Sequence, residues 1–137
     1  MLTGAPGSGK SDLALRFIHE TPAKLKPALV ADDQIFVWER DGRLIARVPD
    51  TIAGRIEIRG VGIVPLPYRA EAEIGLFVDL VRREDVPRLP PEPLPSRTLH
   101  NIAVPVIALA PFEASAPLKL RFAILTMFSQ NSSPEAT

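Results

Sequence analysis

The chain has 137 residues, 46% hydrophobic and 23% charged, with 16 basic and 16 acidic residues that give a net charge of zero. These values predict a single soluble globular domain, and the neutral balance argues against a nucleic-acid binder driven by bulk charge. The lack of cysteine excludes disulfides and thiolate metal sites. No apolar run approaches the ~20 residues of a membrane span and no signal-peptide pattern is present, so the cytoplasm is the expected location.

The first motif along the chain is GAPGSGKS at residues 4–11, which matches the phosphate-binding loop pattern G-x-x-x-x-G-K-[ST]. Glycines at these spacings let successive backbone N–H groups turn inward around a phosphate, and the following helix adds its positive N-terminal end. Lys10 would reach the β- and γ-phosphates, and the Ser11 hydroxyl would ligate Mg²⁺. The alternative is an ordinary glycine-rich turn before a helix. We predict an ATP site formed by Gly4, Ala5, Pro6, Gly7, Ser8, Gly9, Lys10 and Ser11.

The residues around this motif predict a strand before it and a helix after it. From Ser11 onward apolar residues recur at helical spacing, and Pro22 ends the helix because it has no N–H to donate. Only residues 1–3 precede the loop, whereas strands usually run about five or six residues. We therefore expect a first strand that has lost its start. If that strand lies inside a sheet, its neighbours lack ladder partners, and the chain alone should be marginally folded or aggregation-prone.

The middle of the chain predicts β-structure. The short apolar run at 28–31 predicts a strand. Asp41-Gly42 is a turn signal between two apolar stretches, so residues 35–48 should form a hairpin. Strict alternation of apolar and charged residues at 56–59 predicts a strand within 52–64.

The second half of the chain is rich in proline, of which the chain has 15. Strands are expected at 74–80 and 104–109, the latter near a sheet edge because Pro105 cannot donate to a ladder. The stretch 87–95 predicts an extended, polyproline-like connection, either a stiff linker or a docking motif for an aromatic groove.

A closing helix is predicted from Ser115, which can cap it, to about Phe128. Its apolar residues occupy two faces, so we expect a largely buried helix. One face carries Leu118, Phe122 and Leu125, and the other carries Leu120, Ile124 and Met127.

Two acidic sites are candidates for chemistry. Asp32-Asp33 follows the predicted strand at 28–31, where a phosphate-loop enzyme needs a carboxylate near its metal; one aspartate would hold Mg²⁺ and the other would accept a hydroxyl proton. The alternative is turn chemistry at a strand end. Glu57 and Arg59 share one face of a strand because side chains there repeat every two residues. A solvent-facing stripe with cross-strand ion pairs is the alternative for this second pair.

Three segments in this order, GAPGSGKSDLALRFI at 4–18, LVADDQ at 29–34 and IAGRIEIRGVGIVPL at 52–66, resemble the catalytic domain of HPr kinase/phosphorylase. The resemblance is to the short single-domain form found in alphaproteobacteria. It implies an α/β fold: a P-loop-containing, phosphoenolpyruvate-carboxykinase-like domain with a mixed sheet, here without its first strand. The catalytic domain would span residues 1–128, followed by a polar tail at 129–137.

The activity that the resemblance implies is ATP- and Mg²⁺-dependent phosphorylation of a serine of HPr, the phosphocarrier of the sugar phosphotransferase system, with possible phosphorolysis. Lys10 would be catalytic, Asp32 and Asp33 would supply a metal-side carboxylate and the base, and Asp33 is favoured as the base. Glu57 would join Ser11 and Asp32 as a metal ligand, and Arg59 and Arg97 would be catalytic arginines. The family also implies a homo-oligomer, a hexamer, with no membrane or nucleic-acid partner.

Two other functions are considered. The upstream histidine of the family is absent, and Pro111-Phe112-Glu113-Ala114 stands where longer members carry Pro-Gly-Arg-Asn. A catalytically silent nucleotide-binding regulatory module is therefore the main alternative. A small-molecule phosphotransferase is disfavoured by the segment 57–62.

Overall fold

The structure, a computed structural model, describes residues 1–129 and shows a mixed α/β fold. Of the tail predicted at 129–137, Ser129 is the last residue of the final helix, and residues 130–137 lie outside the described residues. In chain order the elements are β1 (Leu2–Thr3), α1 (Lys10–Glu20), β2 (Phe36–Arg40), β3 (Arg43–Arg47), β4 (Arg55–Ile58), β5 (Gly62–Pro65), β6 (Glu71–Glu73), β7 (Phe77–Leu80), β8 (Ser96–Leu99), β9 (Ile102–Leu109) and α2 (Ala116–Ser129).

The main sheet has the strand order β1-β7-β9-β8. Strands β1 and β9 run parallel to β7, and β8 runs antiparallel to β9, so the sheet is mixed as expected. Because successive residues of a strand point to opposite faces, Phe77 and Val78 of β7 belong to two different apolar clusters. Val78 packs with Leu13 of α1 and Leu120 of α2, while Phe77 packs with Leu44 of β3.

The strand β1 lies at the edge of the main sheet, not inside it as the sequence suggested. It pairs with β7 alone, with Leu2 opposite Val78 and Thr3 opposite Asp79. β7 has β1 on one side, paired at two positions, and β9 on the other, and no strand of residues 1–129 pairs with the second edge of β1. Beside β1 opens a cavity of about 660 Å³ whose apolar lining includes Leu2 and Phe17.

The hairpin predicted at 35–48 is confirmed, with β2 and β3 joined by a tight turn. Asp41 and Gly42 have φ angles of 54° and 76°, the left-handed pair that a two-residue hairpin turn requires. The strand predicted at 28–31 is wrong. Leu29 forms only an isolated bridge with Tyr68. Pro27, two residues before Leu29, and Pro67, directly before Tyr68, have no N–H with which to extend a ladder.

The second half departs from the predictions at several points: β6 was not expected, and the strand predicted at 74–80 forms only over 77–80. Strand β8 follows the proline-rich stretch and was not expected, and it makes β9 an interior strand. Pro105 is tolerated there because it is the last β9 partner of β8 and precedes Val106, the first partner of β7. Helix α2 forms where predicted but is not largely buried: its outer face exposes Leu118, Phe122, Leu125 and Phe128. Neither α1 nor α2, the helices of the described part, is long and apolar enough to cross a membrane.

Candidate functional site

The glycine-rich loop, residues 4–9, connects the carboxyl end of β1 to the first turn of α1. Gly9 stands at the N-cap with φ 94°, and no side chain caps the first turn of the helix. The orphan N–H groups of that turn therefore stay available to an anion, which the helix dipole also attracts. A Cβ at Gly4 would lie 2.5 Å from the Ser8 hydroxyl, so the close turn requires glycine there.

Lys10 folds back over the loop. Its Nζ donates hydrogen bonds to the carbonyl oxygens of Gly4, at 2.6 Å, and Ala5, at 3.4 Å. Both carbonyl oxygens are neutral, whereas a phosphate oxygen carries negative charge and would attract the ammonium more strongly. The lysine is thus kept at the place where an anion on the loop would meet it.

Ser11 and Asp32, predicted to share a metal, are in contact: the Ser11 hydroxyl donates to Asp32 Oδ1 at 2.5 Å. Asp33 is exposed and, among residues 1–129, makes no side-chain hydrogen bond or ion pair. A hydroxyl and a carboxylate are hard oxygen donors, and Mg²⁺ binds proteins through few such ligands while keeping several waters. The donor set therefore fits Mg²⁺.

Glu57 makes no hydrogen bond with Ser11 or Asp32 within residues 1–129. It lies on β4, which contacts α1, but the described chain holds no cluster of three or more acidic or histidine side chains able to bind a metal. Glu57 and Arg59 are both exposed, and neither makes an ion pair within the described range. The cross-strand ion pairs weighed as the alternative are therefore not found for these two residues. The tip of the β4–β5 hairpin also exposes Val61 and Ile63, by 73% and 70%.

Arg97 is bound to a carboxylate that the sequence analysis did not select. Its guanidinium donates three hydrogen bonds of 2.9–3.1 Å to the two oxygens of Asp79 and lies 5.1 Å from the centroid of the Phe77 ring. Hydrogen bonding to Arg97 holds the pKa of Asp79 below its usual value, against desolvation, and Thr3 adds a further hydrogen bond. The signal that could have identified Asp79 is an acid within the apolar strand 77–80.

A second missed contact joins the loop to the segment before α2. Arg16 of α1 donates to the carbonyl oxygens of Pro111 and, at 3.2 Å, Glu113. This places the ring of Phe112, which is 72% exposed, against Gly9. An exposed aromatic ring thus borders the loop.

Three comparisons with known proteins agree with one another. Residues 1–109 match the HPr serine kinase C-terminal domain family. The HPr kinase/phosphorylase of Polaromonas naphthalenivorans is 35% identical in an alignment of 118 positions that covers 77% of this chain and 35% of that protein. The HPr kinase/phosphorylase of Clostridium tetani is 40% identical over 67 residues, 49% of this chain and 20% of that protein.

A solved structure gives the same likeness. The HPr(Ser) kinase/phosphatase from Coxiella burnetii superposes with a TM-score of 0.77 and 28% identity, covering 96% of this chain and 89% of the other. The chain spans about a third of the length of its curated relative from Polaromonas.

Proposed function

The chain belongs to the HPr serine kinase C-terminal domain family, and we propose that it is an ATP- and Mg²⁺-dependent kinase that phosphorylates a serine of HPr. The observation that carries the proposal is the contact of Ser11 with Asp32 at the base of the glycine-rich loop. In the proposal, this contact joins the loop that binds phosphate to Asp32, the carboxylate that binds the metal. The proposed fold is that of P-loop, phosphoenolpyruvate-carboxykinase-like domains, and the proposed location is the cytoplasm.

In this proposal the glycine-rich loop is a phosphate loop. Its backbone N–H groups bind the β- and γ-phosphates of ATP, and Lys10 turns from the carbonyls of Gly4 and Ala5 to the phosphate oxygens. Ser11 and Asp32 hold Mg²⁺, which neutralises phosphate charge when it is bound. Glu57 as a further ligand, Arg59 and Arg97 as catalytic arginines, and the homo-hexamer stay predictions.

The different surroundings of the two aspartates favour different roles for them, metal binding for one and proton acceptance for the other. Asp32 is engaged by Ser11, whereas Asp33 is exposed and free to accept a proton from a serine hydroxyl. A general base must reach its proton within hydrogen-bond distance, and an exposed carboxylate beside the loop is accessible to a serine carried by another protein. We therefore assign the base to Asp33 and the metal side to Asp32.

The deciding experiment measures transfer of radiolabelled γ-phosphate from ATP to purified HPr, with HPr that lacks the acceptor serine as the blank. We expect labelling by the parent protein and a loss of about 10²–10⁴-fold in kcat for Asp33→Asn, with ATP binding retained. The matched control is Asp50→Asn, an exposed aspartate far along the chain from the loop. An Asp33→Asn variant that labels HPr at the parent rate would refute the assignment of the base.

The alternative function is a silent nucleotide-binding module. It is favoured by one observation: Glu57 does not join Asp32 and Asp33 in a metal cluster within the described residues. The same experiment separates the two functions. ATP binding by the parent without any labelling of HPr would establish the silent module and overturn the kinase.

A further inference from the structure

We propose that Asp79 and Arg97 form a positioning pair that holds the start of the phosphate loop through Thr3 and thereby sets the affinity for nucleotide. This inference rests on the proposed function, because it concerns the same loop. In it Arg97 acts through Asp79 and Thr3 and does not touch the substrate, a role that replaces the catalytic one predicted for it.

The contacts form a continuous chain from β8 to Lys10. The guanidinium of Arg97 donates hydrogen bonds to both carboxylate oxygens of Asp79. Asp79 Oδ1 also accepts a hydrogen bond from the Thr3 hydroxyl. Thr3 directly precedes Gly4, whose carbonyl oxygen holds the Lys10 ammonium at 2.6 Å. A movement of Asp79 would therefore displace the first residue of the loop.

The geometry explains why β1 needs this support. It is only two residues long and lies at the sheet edge, so its ladder with β7 anchors it by few hydrogen bonds. The Thr3 hydroxyl, which has a single proton, adds one side-chain anchor at the end nearest the loop: it donates to Asp79, and the carbonyl oxygen of Val78 lies 3.3 Å away. A carboxylate held at two oxygens by a planar guanidinium has a fixed orientation, which a carboxylate held by a single point charge lacks.

Neighbouring residues leave space for the pair. The β9 residue opposite Asp79 is Ala108, which has a small side chain, and Arg97 lies on β8 opposite Val104 of β9. The guanidinium lies over the ring of Phe77, two residues before Asp79 on the same face of β7. Both partners are about one-third exposed, so stability alone is a weak reason for this pair.

The test compares ATP dissociation constants, measured by calorimetry, with kinetic constants for labelling of HPr. Thr3→Val keeps the shape and removes the hydroxyl, and Asp79→Asn keeps the size and removes the charge. We expect each variant to weaken ATP binding and raise KM for ATP about fivefold to tenfold, the range of one lost hydrogen bond. The kcat at saturating ATP should stay within about twofold, and Thr3→Ser should restore parent affinity.

The matched control is Arg40→Gln, which breaks an ion pair of similar exposure, with Glu71, in the other sheet. It should leave ATP affinity unchanged and change thermal stability little. Parent-like affinity in both Thr3→Val and Asp79→Asn would overturn the inference. A loss of kcat in Arg97→Lys with unchanged ATP affinity would also overturn it, in favour of a direct catalytic arginine.

These outcomes are distinguishable from failure of the proposed function. A parent protein that does not bind ATP refutes the kinase and this inference together. A parent that binds ATP and labels HPr, with variants of equal affinity, refutes the positioning pair alone. ATP binding without labelling leaves the affinity test fully valid, since calorimetry needs no phosphoryl transfer.

Discussion

Lys10 donates hydrogen bonds to two main-chain carbonyls of its own loop, and these bonds affect its net contribution to phosphate binding. To bind a phosphate it exchanges two neutral acceptors for charged oxygens, so its net contribution is the difference between the two sets of hydrogen bonds. The exchange needs only a rotation of the side chain, because the carbonyls of Gly4 and Ala5 border the place where the phosphate would lie. The residue is thus already placed for its proposed role.

Replacing Lys10 measures its net contribution to ATP binding. Lys10→Ala should lose a charge-assisted contact worth about 1.5–3 kcal/mol and weaken ATP binding about ten- to a hundredfold. Isothermal titration calorimetry in the presence of Mg²⁺ checks the value. Lys24→Ala, which changes an exposed lysine after α1, is the matched control and should bind like the parent. Equal ATP affinity in Lys10→Ala and the parent would contradict the phosphate-loop role.

Asp79 makes stability depend on pH. Hydrogen bonding to Arg97 lowers its folded pKa, so its stabilising effect is complete above the unfolded pKa of about 3.9 and is lost as pH falls through the folded value. We expect the free energy of unfolding in urea to be higher for the parent than for Asp79→Asn at pH 7. The difference should shrink as pH falls below about 4. A difference that stays constant from pH 7 to pH 3 would contradict the prediction.

At the scale of elements, local signals were sufficient where the structure is locally determined. The hairpin β2–β3 follows from Asp41-Gly42, and helix α1 ends before Pro22 as expected. Strand β8 could not be predicted because its pairing with β9 is decided by tertiary contact and its sequence carries little apolar alternation. The bridge at Leu29 shows the reverse case, an apolar run without partners to make it a strand.

The candidate site likewise contains residues that a local pattern predicts and residues that only tertiary contacts bring together. The pattern predicted the loop and Ser11, which a single loop-to-helix connection places. It predicted Asp32 as the residue after a strand at 28–31, and the structure forms no such strand there although Asp32 accepts a hydrogen bond from Ser11. The pairing of Arg97 with Asp79 could not be predicted, since it depends on the strand order β7-β9-β8. The edge position of β1 depends on the same long-range order.

The junction of the loop with α1 is sensitive to a single methyl group. Gly9 has φ 94°, and a Cβ there would lie 3.0 Å from the ring of Phe112. Gly9→Ala should therefore cost about 1–2 kcal/mol for the left-handed backbone, plus about 1–3 kcal/mol for crowding. Gly42→Ala is the matched control, because φ is 76° there but no atom lies within 4 Å of the added Cβ.

Urea unfolding of the two glycine variants separates strain from crowding. Gly42→Ala should show the backbone cost alone, and Gly9→Ala should be the less stable of the two. Gly9→Ala should also weaken ATP binding, which Gly42→Ala should leave at the parent value. Equal destabilisation of both variants would show that Phe112 moves aside at no cost.

At the scale of the whole molecule, the strands β7 and β9 divide the apolar interior in two. Seven buried residues on one face pack with the helices, and five on the other pack with the small sheet β2-β3-β6. The two clusters share no residue, but both are built on β7, where Phe77 and Val78 alternate. A single sheet therefore couples the helical layer that carries the loop to the layer on its other face.

This division into two clusters predicts how the effects of two distant substitutions on the free energy of unfolding combine. Leu13, fully buried in the helical cluster, and Ile74, 7% exposed in the other, lie on opposite faces of the sheet. Leu13→Ala should cost about 2–5 kcal/mol and Ile74→Val about 0.5–1.5 kcal/mol. Their effects should add to within about 0.5 kcal/mol, because residues of separate clusters share no partners. Val61→Ala, at the exposed hairpin tip, should change stability by less than about 0.5 kcal/mol.

Urea unfolding followed by far-ultraviolet circular dichroism and by the fluorescence of Trp38, on β2, measures both layers at once. If the main sheet makes one cooperative unit, the two signals should give a single coincident transition in the parent and in every variant. Leu13→Ala would then shift the Trp38 transition although the two residues lie in different layers. A Trp38 transition that Leu13→Ala leaves unchanged would show that the small sheet unfolds independently, and the prediction of one domain would be wrong.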